Sequence, residues 1–240
     1  MFERSIYFDE SRAHVQRERV LKLLNASPGA KLVLVSAPAG FGKTTVLTQW
    51  RAILQHRKAR HAWMTIEDSD NDASRFISRL SSSIKLLDAD GPFDESGAGI
   101  PDPARLTQLA LGVMDQIARQ ASAFTLFLDD LERINDPAAL QLVQELAAHM
   151  PQGAQLIIAS RRIPELGLGR LRVREQLLEI DAEQLRFTVD ETTRYLEQCR
   201  HLSMLRDDVQ ALHKKTEGWI AALTLASAAL ERRENYKSFI

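Results

Sequence analysis

An α/β fold, a parallel sheet followed by a small all-helical annex, is what this sequence predicts, on three observations. Apolar runs of strand length alternate with helix-competent stretches as far as about residue 180, the pattern of repeated strand–helix–strand units. The first of these runs, Lys31 to Ser36, leads into a glycine loop, Ala37-Pro-Ala-Gly-Phe-Gly-Lys-Thr-Thr45, that opens a helix. From Arg186 onward strand patterning stops and only helical spacing remains, so the chain divides into residues 1–185 and 186–240.

In chain order, Val15, Val20, Leu21, Leu23 and Leu24 interleave with charged residues as a short amphipathic helix that stops before Asn25-Ala-Ser-Pro-Gly29. Strand one follows, then the loop, then a helix over Thr44 to Gln55 with Val46, Leu47, Trp50, Ile53 and Leu54 on one face. Its basic tail, Arg51 to Arg60, reads as a solvated helix end beside the negative pole of its dipole. His61 to Ile66 is a second strand. The acidic turn Glu67 to Asp72 lacks the glycine and glutamate places of a calcium loop and reads as an N-capping segment. A helix carrying Phe76, Ile77, Leu80 and Ile84 comes next, then a surface loop over Asp88 to Pro103 and a helix over Ala104 to Gln120.

Phe124 to Asp130 is a buried-strand run ending in two carboxylates. Ala138 to Ala148 is helical, and Gln155 to Ser160 is a strand that ends in Arg161-Arg162. Past a linker helix with Leu166, Leu168 and Leu171, Glu175 to Ile180 is the fifth strand. Helices over Asp190 to Gln198, Asp207 to Lys215 and Gly218 to Arg232 make the annex.

Composition narrows the function. Lys+Arg 31 against Asp+Glu 32 gives a net charge of −1, without the basic excess of a domain that wraps nucleic acid. Cys199 is the single cysteine, so an internal disulfide is impossible, and no basic-then-apolar leader opens the chain; it reads as cytoplasmic. The most apolar segment, Trp219 to Leu230, is too short to span a bilayer, and no membrane role is expected.

The loop carries the chemistry. It matches G-x-x-x-x-G-K-[ST] except at its first place, where Ala37 stands. In such a loop successive N–H groups, here of Ala39, Gly40, Phe41 and Gly42, surround a polyphosphate and a helix N-terminus adds positive potential. Lys43 is expected on the β/γ-phosphates and Thr44 on Mg²⁺, with Gly40 and Gly42 letting the backbone close on the ligand. Asp129, at the end of an apolar strand, is the expected metal-side acid. Asp130 is the candidate to orient or deprotonate an attacking water, with Glu132 as a second candidate base. Arg161, at another strand tip, is placed to sense a γ-phosphate. The expected ligands are ATP or ADP with Mg²⁺.

Three strands after the loop helix, with the Asp-Asp strand second among them, resemble the additional-strand class of P-loop ATPases. That resemblance implies a five-stranded parallel sheet in the order 5-1-4-3-2. More specific phrases are Ala37-Pro-Ala-Gly-Phe-Gly-Lys-Thr-Thr-Val-Leu-Thr-Gln-Trp50, Leu126-Phe-Leu-Asp-Asp-Leu131, Ile158-Ala-Ser-Arg161 with Pro164, and Thr216-Glu-Gly-Trp219. Over residues 15 to 230 they resemble the amino-terminal ATPase module of the MalT-like large LuxR-type transcription regulators, in the STAND class of signalling ATPases. Alanine at position 37 is similar to what that family uses.

The resemblance implies that Arg17, Glu18 and Arg19 embrace adenine and ribose, that Thr45 borders the α-phosphate, and that the turn at Gly218-Trp219 packs on the nucleotide. It further implies an ADP-bound closed monomer, an ATP state that self-associates, and inducer and DNA bound by regions outside these residues. A P-loop kinase, and a nucleotide-gated interaction module without turnover, are the alternatives.

Overall fold

The computed structural model describes residues 14–85, 87, 103–120 and 122–231. Its centre is an all-parallel sheet of β1 (Leu32–Ser36), β2 (Arg60–Thr65), β3 (Phe124–Asp129), β4 (Gln155–Ser160) and β5 (Leu177–Ile180), in the order β2-β3-β4-β1-β5. Read from the other edge, this is the expected 5-1-4-3-2. Every residue of β3 and β4 is buried, as in a sheet covered on both faces.

Alternation along the strands divides the core. Leu32, Leu34, Leu126, Leu128, Leu156 and Ile158 face a layer containing α3 (Ala73–Lys85), α4 (Pro103–Ala118) and α5 (Pro137–His149). Val33, Val35, Phe127, Ile157 and Ala159 face α1 (Glu18–Ala26) and α2 (Lys43–His56). Successive side chains of a strand point to opposite faces, so one apolar run supplies two separate cores. Parallel pairing then brings the ends of β1, β3 and β4 together at one edge of the sheet.

Past β5 come α6's successors in short pieces. The helix α6 (Gly169–Val173) precedes β5, and α7 (Ala182–Leu185) follows it behind a capping box of Asp181 and Gln184 that hydropathy patterning alone did not indicate. The expected helix over 190–198 is α8 (Val189–Arg194), running on into a π-helical turn, Tyr195–Cys199. With α9 (Arg206–Thr216) and α10 (Ile220–Leu230) these elements build a third apolar cluster, in which Val15 joins Phe187, Tyr195, Leu196, Leu202, Val209, Leu212, Leu223 and Leu230. The loop expected over residues 88–102 and the end of the last helix at Arg232 lie outside the described residues. Among the described residues no helix is long and apolar enough to cross a membrane.

Candidate functional site

The glycine loop joins β1 to α2 at the carboxyl edge of the sheet. Gly40 (φ +76°) and Gly42 (φ +80°) both occupy the left-handed region, which an L side chain adopts only with strain. At Gly40 space forbids a side chain as well: a Cβ there would stand 2.5 Å from the Cβ of Ala221. The loop curls around Lys43, whose buried ammonium donates to the carbonyls of Ala37 (2.7 Å) and Pro38 (3.1 Å). Burial pushes its pKa down, opposed first by the negative field of Glu132. A cation poor in water and held among carbonyls is ready to exchange those partners for phosphate oxygens.

Thr44, at the start of α2, donates its hydroxyl to the buried carboxylate of Asp129, 2.9 Å away at the end of β3. The two are 85 residues apart in sequence and meet only because β3 and the loop end at the same edge. Burial raises the Asp129 pKa, with the Thr44 hydrogen bond opposing. A hydroxyl and a carboxylate side by side are hard oxygen donors of the kind Mg²⁺ takes when phosphates and water complete its shell, so the residues fit that ion.

Asp130 breaks the strand with φ 62° and ψ 40°, a left-handed conformation uncommon for a non-glycine residue. Its carboxylate lies 3.6 Å from Arg133, which also pairs with Asp68 at 2.5 Å. Arg161 continues β4, and Glu132 holds it twice: a carboxylate oxygen 2.7 Å from Nε and an acceptor 3.0 Å from its backbone N–H. Ala39, Gly40, Gly42, Lys43, Thr44, Thr45, Asp130 and Arg161 together line a cleft of about 200 Å³. That is room for a polyphosphate tail more than for a whole nucleotide.

The annex bonds to the loop that lines this cleft. Trp219 donates from its indole to the carbonyl of Ala39 (3.3 Å) and stacks on Phe41 with ring centres 6.1 Å apart. The backbone N–H of Ala221 donates to the carbonyl of Gly40 (3.2 Å). Arg17 stands behind the loop, where a Cβ built on Gly42 would be 3.9 Å from its Nη1. Its guanidinium is 2% exposed, pairs with Glu191 at 3.1 Å, donates to the carbonyls of Leu185 and Arg186, and covers the Phe187 ring. Burial depresses its pKa, and Glu191 opposes the shift. Glu18 pairs with Arg194 on α8.

Lys43, Thr44, Thr45, Asp130 and Arg161 are therefore brought together with the loop, and Asp129 stands behind Thr44. Arg17 and Glu18, expected around adenine, pair with Glu191 and Arg194 of the annex, and the Arg17 guanidinium lies beside Gly42 of the loop. Glu132, read as a second candidate base, is engaged by Arg161. The participation of Ala221 was missed, because nothing in an alanine's sequence context announces the one place where a larger side chain would meet a loop glycine.

A loop wrapped on a buried lysine, with a threonine and a strand-end aspartate beside it at the edge of a parallel sheet, defines a P-loop nucleotide-binding protein. More particularly, the chain belongs to the AAA ATPase domain family, whose profile matches residues 14–159. It is 34% identical over 226 residues to the HTH-type transcriptional regulator MalT of Klebsiella pneumoniae, covering 93% of this chain and 24% of that one. To the serine/threonine-protein kinase PknK of Mycobacterium tuberculosis it is 36% identical over 225 residues, 90% of this chain and 20% of that one. The chain thus spans about a quarter or less of the length of these curated relatives. The structure of the Aeropyrum pernix ORC1 protein in complex with DNA shares the fold at 14% identity, with a TM-score of 0.55 over 96% of this chain and 64% of that one.

Proposed function

We propose that this chain is the ATP-binding, slowly hydrolysing switch module of a bacterial transcription activator, resting with ADP and self-associating with ATP. The observation that carries the reading is the direct bonding of the annex to the phosphate loop through Ala221 and Trp219. A loop that closes on phosphates must move against those bonds, and a ligand that favours one arrangement of loop and annex shifts the population of both. The printed descriptions of the relatives support a regulatory setting. That a transcriptional regulator and a protein kinase both contain a similar stretch points to a shared input module whose output lies in the rest of each chain.

In this reading Lys43 and the loop amides bind the β- and γ-phosphates, Thr45 borders the α-phosphate, and Arg161 answers to the presence of the γ-phosphate. Thr44 and Asp129 would hold Mg²⁺, which supplies neutralisation of phosphate charge. Asp130 orients a water on the cleft side and takes its proton. Arg17 and Glu18 act on the nucleotide through the annex they hold, and inducer and DNA are bound by regions outside this chain.

A second reading, a nucleotide-gated module without turnover, is favoured by one observation: the carboxylate of Asp130 is already near Arg133, and that of Glu132 is taken by Arg161. Phosphate release decides between them. Under the first reading Asp130→Asn keeps nucleotide affinity and abolishes release; a wild-type chain that binds ATP and never releases phosphate selects the second. Equal affinity for ATP and ADP, with the same sedimentation coefficient in both, would sink the switch altogether.

A further inference from the structure

Three carboxylates, Asp129, Asp130 and Glu132, stand within four positions at the end of β3, beside the place a polyphosphate would occupy. Unbalanced, they would repel it. Asp129 is bonded to Thr44 and Asp130 is near Arg133, so each has a partner that does not depend on Arg161. Glu132 is different. Its side chain is 13% exposed, and its two oxygens grip one residue, taking the backbone N–H of Arg161 with one and the guanidinium with the other. The short helical turn Leu131–Arg133, started by the left-handed Asp130, aims it there. Arg161 is 53% exposed and lines the cleft, so its guanidinium is free to swing while its backbone stays pinned. Glu132 is also the nearby charge that does most to oppose the burial-driven fall in the Lys43 pKa, which places its field inside the cleft.

Building on the phosphate-sensing role given to Arg161 under Proposed function, we infer that Glu132 is a positioning residue that competes with a terminal phosphate for the Arg161 guanidinium and so sets how strongly the site prefers triphosphate over diphosphate. With a diphosphate seated on Lys43 and the loop amides, Arg161 stays with Glu132. With a triphosphate the γ-oxygens offer a second anionic acceptor, and the guanidinium transfers to them while the backbone hydrogen bond holds the tip of β4 in place. Glu132 therefore lowers the affinity for triphosphate and leaves that for diphosphate nearly unchanged.

The test is the ratio of dissociation constants for Mg·ADP and for Mg²⁺ with the β,γ-methylene analogue of ATP, measured by calorimetry on the 240-residue chain. Glu132→Gln, which keeps an acceptor for the Arg161 N–H and removes the charge, is expected to raise the preference for the triphosphate about fivefold, the size of one partly exposed ion pair. In an Arg161→Ala background, where only the general repulsion between the carboxylate and phosphate remains, the same substitution is expected to shift the ratio clearly less, a result that a merely structural role would not give. Glu132→Asp, one methylene too short to reach both groups, is expected to shift the ratio in the same direction and serves if Glu132→Gln does not fold. An unchanged ratio in both Glu132 variants, or a shift just as large in Arg161→Ala, overturns the inference. If Arg161→Ala alone leaves the ratio at its wild-type value, the sensor role of Arg161 fails and the competition fails with it; if it lowers the ratio while the Glu132 variants leave the ratio unchanged, only the competition fails.

Discussion

The sheet domain and the annex are held together by different physics. In the sheet, β3 and β4 are buried at every position and their alternating side chains feed two large apolar clusters, one on each face. Shifting any strand would disturb both. The annex has one small cluster, borrows Val15 from the far end of the chain to complete it, and meets the sheet domain through a few polar joints, Arg17 with Glu191, Trp219 with Ala39 and Ala221 with Gly40, and one ring stack, Trp219 on Phe41. Apolar burial is indifferent to small rotations, whereas hydrogen bonds and ion pairs are directional.

The largest effect expected is at the buried joint. Arg17→Ala strands the Glu191 carboxylate in an interior that is 3% exposed, at a cost of about 3–5 kcal/mol in denaturant unfolding. If the contrast holds, Trp219 fluorescence, read in a Trp50→Phe, Trp63→Phe background, reports loss of the annex at lower denaturant than far-ultraviolet dichroism reports loss of the sheet; coincident transitions would erase the distinction. Lys43→Ala acts on the other body. It is expected to weaken ATP and ADP binding about 100-fold in calorimetry, as loss of charge-assisted hydrogen bonds implies, with the melting temperature of the nucleotide-free chain lowered little.

Gly40→Ala strikes the contact between the two bodies. The new methyl meets Ala221 and the backbone must keep φ +76°, together costing about 1–3 kcal/mol. Pairing it with Ala221→Gly should restore the part due to the clash and not the part due to φ, which a thermal melt of the two variants separates. Asp129→Asn sharpens the comparison from within the sheet. Burial raises the folded-state pKa of Asp129, so its contribution to stability is present below the unfolded value and lost as pH rises through the folded one. At neutral pH the ionised group is therefore a cost, and the variant is expected to melt at a higher temperature without nucleotide while losing the Mg²⁺ dependence of ATP binding.

The smallest effect lies in the annex. Burial lowers the pKa of His213, whose ring is 3.0 Å from the Thr192 hydroxyl. Its contribution is present above the unfolded pKa, near 6.5, and is lost as pH falls from there through the folded value. A mild acid destabilisation between pH 7 and 5 that His213→Gln removes is the expected result.

Much of the fold was legible because its signals are local. The apolar runs became strands in nearly the places read, and misplacements of a residue or two have local causes: Glu175 (φ 55°) and Asp130 (φ 62°) turn left-handed and end pairing where apolarity alone would extend it. At the site, the loop, Lys43, Thr44, Asp129 and Arg161 were legible because each residue type is tied to a strand end. The partners of Glu132 and Arg17 were not legible, for one reason. A carboxylate next to a strand end and a guanidinium before a helix have the same sequence signature whether they face a ligand or another side chain.

By itself, then, the sequence determined the alternation of strand and helix, the phosphate loop, and the chemistry available at the strand ends, since these depend on residues within a few positions of one another. Only the tertiary structure decided which charges pair: Arg161 with Glu132 across 29 residues, Arg17 with Glu191 across 174, and Trp219 with Ala39 across 180. Partner choice is a matter of distance and desolvation after packing, and no periodicity in the chain encodes either.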